Sequence, residues 1–348
     1  MERGLVWEHR KGEEVRYWFP EIMGPGIGVL DHDRDGDMDL YFVQSGDLSV
    51  AREENEGNRL FANDGAGHFS DVTAGSGADD RGYGMGCACA DYNGDGWTDV
   101  YVTNVGANAL LANRGDGSFT ERAEAAGVDN AAWGTSCAFL DMDRDGDLDL
   151  LVSGMDANGS SATKLYTNDR GRFRLDELNS DVLLNVHNGE LAWADYDNDG
   201  DLDLALAGEN VQGSIRRVTE FYRNDPTGTL TLDSELSAQT KLSGGALAWG
   251  DYDGDGFPDL YVSNLGTDNR LYHNNRDGTF TDEAAILGVA APTSSFSTWF
   301  WDVNNDGALD LLVNNYGILS AQGLAVSFVA AGIIGQTRAA NIPALYLG

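Results

Sequence analysis

One nine-residue pattern, Asp-x-Asp/Asn-x-Asp-Gly-x-x-Asp, occurs six times and constrains the fold more than any other feature of the chain. It covers residues 31–39, 91–99, 141–149, 195–203, 251–259 and 302–310, numbered below as loops one to six. Successive loops start 60, 50, 54, 56 and 51 residues apart. A repeat of that length with short strands suggests one blade of a propeller. It is long enough for one supersecondary unit that buries its apolar faces only against its neighbours.

The residues between the loops predict what that unit is. A short apolar run precedes each loop, at 28–30, 88–90, 138–140, 192–194, 248–250 and 299–301. Small residues are frequent in these runs, which suits strands that approach one another closely around an axis. A second run follows each loop, at 40–43, 100–102, 150–152, 204–206, 260–262 and 311–313. It is apolar at nearly every position, as for a strand covered on both faces. A third run ends in Asn63, Asn113, Asn168, Asn224 or Asn274, each opening a polar turn that contains glycine. A fourth begins at Phe69, Phe119, Phe173, Leu230 or Phe280. The expected fold is all-β: a β-propeller of four-stranded antiparallel blades, with six loop-bearing blades visible in a six- or seven-bladed ring.

We expect residues 1–348 to form one propeller domain. The run 344–347 reads as a third strand with no fourth after it, so the last blade is incomplete and 317–343 is an insertion within it. Residues 1–20 include Val15, Tyr17, Trp18 and Phe19, an N-terminal strand able to close the ring. The favoured expectation is that the chain is a fragment of a longer protein, because an unpaired strand edge is a liability.

The loops carry the chemistry. Carboxylates at positions 1, 3 and 5 alternate along the chain and converge, glycine at position 6 permits a sharp bend, the carbonyl of residue 7 faces inward, and Asp at position 9 closes the set. An oxygen-only donor set of this kind is what a hard cation such as Ca²⁺ takes. The expected ligands in loop one are Asp31, Asp33, Asp35, Asp37 and Asp39; in loop two, Asp91, Asn93, Asp95, Trp97 and Asp99; in loop three, Asp141, Asp143, Asp145, Asp147 and Asp149. In loop four they are Asp195, Asp197, Asp199, Asp201 and Asp203; in loop five, Asp251, Asp253, Asp255, Phe257 and Asp259; in loop six, Asp302, Asn304, Asp306, Ala308 and Asp310. Asp37, Trp97, Asp147, Asp201, Phe257 and Ala308 enter through their backbone carbonyls. An EF-hand needs a bidentate Glu at position 12. Here position 12 is Phe42, Val102, Val152, Leu206, Val262 or Val313, so each loop joins two strands. Without a cation the clustered carboxylates repel one another. About six structural calcium ions are expected, held more weakly in loops two and six, where Asn93 and Asn304 reduce the charge. His32 occupies position 2 of loop one, where the side chain points away from the ion.

Composition excludes several functions. The net charge is −35, and nearly half of the 57 acidic residues lie in the loops, which argues against binding a phosphate backbone. No apolar run reaches the length of a membrane span; the nearest, 321–335, reads as a helix or loop packed on the domain. Cys87, Cys89 and Cys137 are too few and too irregular for a disulfide framework and read as small buried residues in strands. Trp193 and Trp249 recur at one repeat position and read as core. Arg114-Gly115-Asp116 spells an integrin-recognition tripeptide but reads as a turn, and Asn158-Gly159-Ser160 matches a glycosylation acceptor. There is no nucleophile elbow, phosphate-binding loop or zinc-protease motif, and no catalytic residues are assigned.

The Asp-x-Asp/Asn-x-Asp-Gly-x-x-Asp loops resemble those of the FG-GAP/VCBS-repeat proteins, the calcium-loop propellers that include integrin α-subunit heads. More narrowly, residues 18–24, 82–86 and 133–136 are similar to the cartilage acidic protein/ASPIC-UnbV group. The resemblance implies a secreted, periplasmic or cell-surface propeller with a role in adhesion or extracellular binding. The expected function is therefore a non-enzymatic, calcium-stabilised interaction module whose partner is an extracellular protein or glycan. The alternatives are a carbohydrate-binding propeller and a polysaccharide-active enzyme such as a lyase on the same scaffold.

Overall fold

In each repeat the apolar run after the loop becomes a strand that starts on the loop's last aspartate, so the loop is the hairpin connection between the first two strands of a blade. The computed structural model describes residues 4–10, 24–130, 133–211, 215–239, 246–264, 266–293, 295–315 and 344–346. They cluster into two compact units, Met1–Asn188 and Gly189–Gly348. The N-terminal strand expected at 15–19, the 317–343 insertion and the apolar run 321–335 all lie outside the described residues.

The first unit contains three blades. The first consists of β1 (Ile27–Leu30), β2 (Asp39–Phe42), β3 (Arg59–Asn63) and β4 (Phe69–Asp71). The second consists of β5 (Tyr83–Ala90), β6 (Asp99–Val105), β7 (Ala109–Asn113) and β8 (Phe119–Glu121); the third of β9 (Trp133–Leu140), β10 (Asp149–Met155), β11 (Ser161–Asn168) and β12 (Phe173–Leu175). Every pairing within a blade is antiparallel and in sequence order. A single pair, Val105 with Trp133, continues the sheet from the second blade into the third.

The second unit repeats the plan. Its blades are β13 (His187–Ala194) with β14 (Asp203–Val211), β15 (Ile215–Arg223) and β16 (Thr231–Leu232), then β17 (Leu247–Gly250) with β18 (Asp259–Val262), β19 (Arg270–Asn274) and β20 (Phe280–Asp282). The last is β21 (Ser295–Trp301), β22 (Asp310–Asn315) and β23 (Ala344–Tyr346), three strands among the described residues. The fold is all-β with four-stranded antiparallel blades of the β-propeller type, as the repeat spacing predicts. Single helical turns, Ala123–Ala126 and Ala284–Leu287, carry the chain from one blade to the next and end on Gly127 and Gly288 in the left-handed region. Among the described residues no helix is long and apolar enough to cross a membrane.

The core lies between successive blades. Tyr41, Val43 and Leu60 of the first blade pack with Val100, Val102 and Leu111 of the second. Tyr101 and Leu110 of the second pack with Leu150, Val152 and Tyr166 of the third. In the second unit Trp249 stacks on Tyr196, centroids 5.8 Å apart, among Phe221, Leu247 and Leu260, so its reading as core holds. The tyrosines on the second strands are fully buried, and their hydroxyls donate to backbone carbonyls of the link to the next blade: Tyr41 to Ala78, Tyr101 to Val128 and Tyr261 to Val289, all at 2.7–2.8 Å. First strands of neighbouring blades approach closely. A methyl group on Gly28 would lie 2.6 Å from Cys89 Sγ, and one on Gly86 would lie 3.1 Å from the Thr135 carbonyl oxygen. Cys87, Cys89 and Cys137 are unpaired, half-buried thiols packed against this core, and burial pushes the Cys137 thiol up.

Candidate metal centre

Two left-handed residues shape each acidic loop. Glycine at position 6 has φ between 89° and 95° in all six. Position 4 is also left-handed throughout: Arg34, Arg144, Asn198 and Asn305 at φ 57–60°, and Gly94 and Gly254 at 69° and 73°. The sequence reading singled out only the glycine at position 6. Position 4 was hidden because arginine and asparagine share it with glycine, and only the last advertises a positive φ.

The bend lets each carboxylate cap a backbone N–H within its own loop. The position 6 N–H donates to the position 1 carboxylate at 2.7–3.2 Å in every loop. The position 7 N–H donates to the position 5 carboxylate at 2.8–2.9 Å. Asp31, Asp33 and Asp35 each place an oxygen within 4.8 Å of the other two, and so do Asp141, Asp143 and Asp145, and Asp195, Asp197 and Asp199.

Position 9 fastens the loop to the blade. One oxygen of Asp39, Asp99, Asp149, Asp203, Asp259 or Asp310 accepts from the N–H of position 2 in its own loop. The other oxygen accepts from the backbone N–H of the third-strand asparagine in the first five blades, Asn63, Asn113, Asn168, Asn224 and Asn274, at 2.7–2.9 Å. All six of these aspartates are buried. Burial pushes Asp99, Asp149 and Asp203 up to about 7 and Asp259 up to about 6; the backbone N–H donors pull the other way, as does His273 beside Asp259.

The asparagines are the functional residues that sequence reasoning undervalued. Asn168 Nδ2 donates to the Leu148 carbonyl of its own loop at 2.9 Å and to the Tyr92 carbonyl of the preceding loop at 2.7 Å. Asn113 bridges Thr98 and His32 in the same way, and Asn274 bridges Pro258 and Tyr196. Their Oδ1 atoms accept from the turn that follows, at Gly115, Gly171 and Arg276. One side chain thus ties its turn, its own loop and the neighbouring loop together. The recurrence of Asn at the end of the third strand in the first five blades was the available signal; its reach across 76–81 residues was not.

The loops divide into two sets. In loops one, three and four, Oδ1 of Asp31, Asp141 or Asp195 is buried and has no hydrogen-bond partner. In loops two, five and six the equivalent oxygen of Asp91, Asp251 or Asp302 accepts from the position 5 N–H at 2.9–3.1 Å. The first set has Asp at position 7 (Asp37, Asp147, Asp201); the second has Trp97, Phe257 and Ala308.

Two histidines depart from expectation. His32 does not point away from the acidic cluster: it is buried, its Nδ1 lies 2.5 Å from Asp39 Oδ2, and it groups with Asp33 and Asp39. Asp39 Oδ2 also accepts the His32 backbone N–H at 2.9 Å, so the ring lies beside the position 9 carboxylate. His273, scattered in sequence, groups with Asp253 and Asp255. Arg114-Gly115-Asp116 folds as the β7–β8 turn, with Gly115 at φ 73° against the Trp97 ring and Asp116 capping Ser118.

The donor set fits a hard divalent cation on the protein's own terms. A buried carboxylate oxygen with no donor is costly unless a cation meets it, and loops one, three and four each hold one beside further carboxylates. The carboxylate, amide and carbonyl donors of these loops are all oxygens, the chemistry of Ca²⁺ more than of a transition metal.

A family profile described as "FG-GAP-like repeat" matches residues 31–102, 91–152, 195–262 and 251–313, each span running from one loop through the second strand of the next blade. Among solved structures, a lectin of Agrocybe aegerita, described as specifically recognising non-reducing terminal N-acetylglucosamine, is similar to this chain. The TM-score is 0.56 at 16% identity, over 82% of this chain and 73% of that one. A mutant of AofleA from Arthrobotrys oligospora aligns at 13% identity with a TM-score of 0.47, over 85% and 81% of the two chains. No curated protein matches the chain.

Proposed function

The chain belongs to the FG-GAP-like repeat family, and from that premise we propose that it is a calcium-stabilised β-propeller that serves as an extracellular interaction module. The observation that carries the calcium reading is the buried, donorless oxygen on Asp31, Asp141 and Asp195. In each loop the carboxyl or amide oxygens of positions 1, 3 and 5, the carbonyl of position 7 and the carboxylate of position 9 would hold the ion. Bound calcium supplies the positive charge that lets these carboxylates stay ionised side by side. The chain's own residues do the rest. Position 9 links the loop to the first strand through the N–H of position 2 and to the third strand through the asparagine N–H, so order in the loop becomes order in the blade.

The same proposal places the protein in a secreted, periplasmic or cell-surface setting, supported by the family resemblance and by the calcium reading of the loops. Membership of the narrower ASPIC/UnbV group is part of the same proposal. The role is non-enzymatic, and the partner is an extracellular protein or glycan. A second reading, carbohydrate binding, is supported by the shared fold with the N-acetylglucosamine-recognising lectin.

Thermal unfolding of the purified chain in millimolar calcium and in excess chelator tests the first reading. A large fall in melting temperature on chelation is expected, and an unchanged melting temperature would sink it. A glycan array in calcium separates a glycan partner from a protein one: saturable binding of a defined sugar favours carbohydrate binding, and a blank array favours a protein partner.

A further inference from the structure

Loop five has the same number of carboxylates as loop four outside position 7, yet seven of its eight carboxylate oxygens at positions 1, 3, 5 and 9 already accept a hydrogen bond within the protein. Asp251 accepts from the N–H groups of Asp255 and Gly256, both at 2.9 Å. Asp253 accepts from the Asp255 N–H at 3.2 Å, and its second oxygen lies 3.5 Å from His273 Nδ1. Asp259 accepts from the N–H groups of Tyr252 and Asn274 and lies 3.2 Å from His273 Nδ1. Asp255 gives one oxygen to the Phe257 N–H at 2.8 Å. Its other oxygen is held by the guanidinium of Arg276, Nε at 2.8 Å and Nη2 at 2.5 Å.

Arg276 reaches that carboxylate for a local reason. It occupies the second residue after the third-strand asparagine, with φ 63°. The same place is taken by Gly65 and Gly115, both at φ 73°, and by Arg170 at φ 51°. Beside Arg170, position 7 is Asp147, whose Oδ2 accepts the Arg170 N–H at 3.1 Å. In loop five position 7 is Phe257, which offers no carboxylate. The Arg276 guanidinium lies over its ring, 5.6 Å from the centroid, and extends to position 5. A guanidinium on a carboxylate in this two-point geometry is a strong, pre-organised pairing.

We propose that Arg276 is a built-in counterion of loop five that competes with calcium for Asp255, so that loop five binds calcium more weakly than loops three and four. The inference rests on the calcium reading above. It replaces the ranking by carboxylate count, under which loop five is among the strong sites. A cation entering loop five must displace Arg276 from Asp255, whereas in loop three it meets a free oxygen on Asp141.

The test is calorimetric titration of the metal-free full chain with calcium chloride, comparing wild type with Arg276→Gly and Arg276→Lys. Glycine keeps the positive φ that the turn requires, so the fold survives. The expected result is that Arg276→Gly converts one weak site to at least tenfold higher affinity, that Arg276→Lys, which keeps a point charge, gains less, and that adding Asp253→Ala to Arg276→Gly abolishes the gained site. Identical isotherms for wild type and Arg276→Gly, with calcium bound by both, overturn the counterion role and leave the calcium reading standing. Absence of calcium binding by wild type overturns both.

Discussion

Loops three and five share a signature and part company in their electrostatics. Both place Asp at positions 1, 3, 5 and 9, glycine at position 6 near φ 90°, and both hang from a third-strand asparagine through the same hydrogen bonds. Loop three keeps a buried Asp141 oxygen without a donor, while the matching Asp251 oxygen in loop five accepts from Asp255. Loop three has Asp147 facing the turn; loop five has Phe257 and, over it, an arginine. Carboxylate count treats these two loops as alike. The comparison teaches that the ionic balance of such a loop is decided by the turn packed against it, which in sequence lies some twenty residues away.

Removing calcium is the strongest way to break the comparison. Each independent site at a hundredfold excess over its dissociation constant adds about 2.7 kcal/mol. Chelation is therefore expected to lower stability by several kcal/mol, read as a fall in the urea midpoint. A sub-saturating calcium series should restore most of that stability before loop five fills. Next in size, Asp145→Ala is expected to cost about 3 kcal/mol in saturating calcium, against about 1 kcal/mol for Asp255→Ala, because only the former empties a strong site. Equal costs in parallel denaturant titrations would erase the distinction between the loops.

Asn168→Ala and Asn274→Ala should cost about 2 kcal/mol each, with or without calcium, since each strands two backbone carbonyls and a turn N–H. A cost that vanished in chelator would mean that the asparagines act through the ion and not through the blades. The remaining prediction concerns pH. In the metal-free chain burial raises Asp149 to about 7 and Asp259 to about 6 from an ordinary 3.8. A raised carboxyl contributes stability that is complete below its unfolded value and is lost as pH climbs through the folded one. Metal-free protein should therefore be more stable at pH 5 than at pH 8, with a slope on the order of 1 kcal/mol per pH unit for each proton exchanged. The calcium-loaded protein should show the opposite trend, because protons and calcium compete for the same oxygens. Unfolding midpoints of both forms across that range check the sign.

Much of the architecture was readable from residue order. The loop period, the apolar runs on either side and the glycine turns predict four-stranded blades, and β2, β6, β10, β14, β18 and β22 each begin on the last aspartate of a loop. Position 12 was the decisive residue: Val102, Val152, Leu206, Val262 and Val313 are buried in strands. The left-handed position 4 was less legible because Arg34 and Arg144 do not announce their backbone, and the place of His32 was misread because alternation along a loop says nothing about the position 9 carboxylate that folds back onto position 2.

By itself the sequence determined the repeating parts: strand, acidic loop, strand, turn and strand, each set by patterns within a dozen residues, where local sterics and hydrophobic alternation decide. Only the tertiary structure decided which oxygens are free. Asn113 reaches His32, Asn168 reaches Tyr92, and Arg276 reaches Asp255, because strand pairing and blade stacking bring distant segments within hydrogen-bonding range. The charge state of a loop depends on every donor within about 3 Å, and chain order does not encode which donors those are.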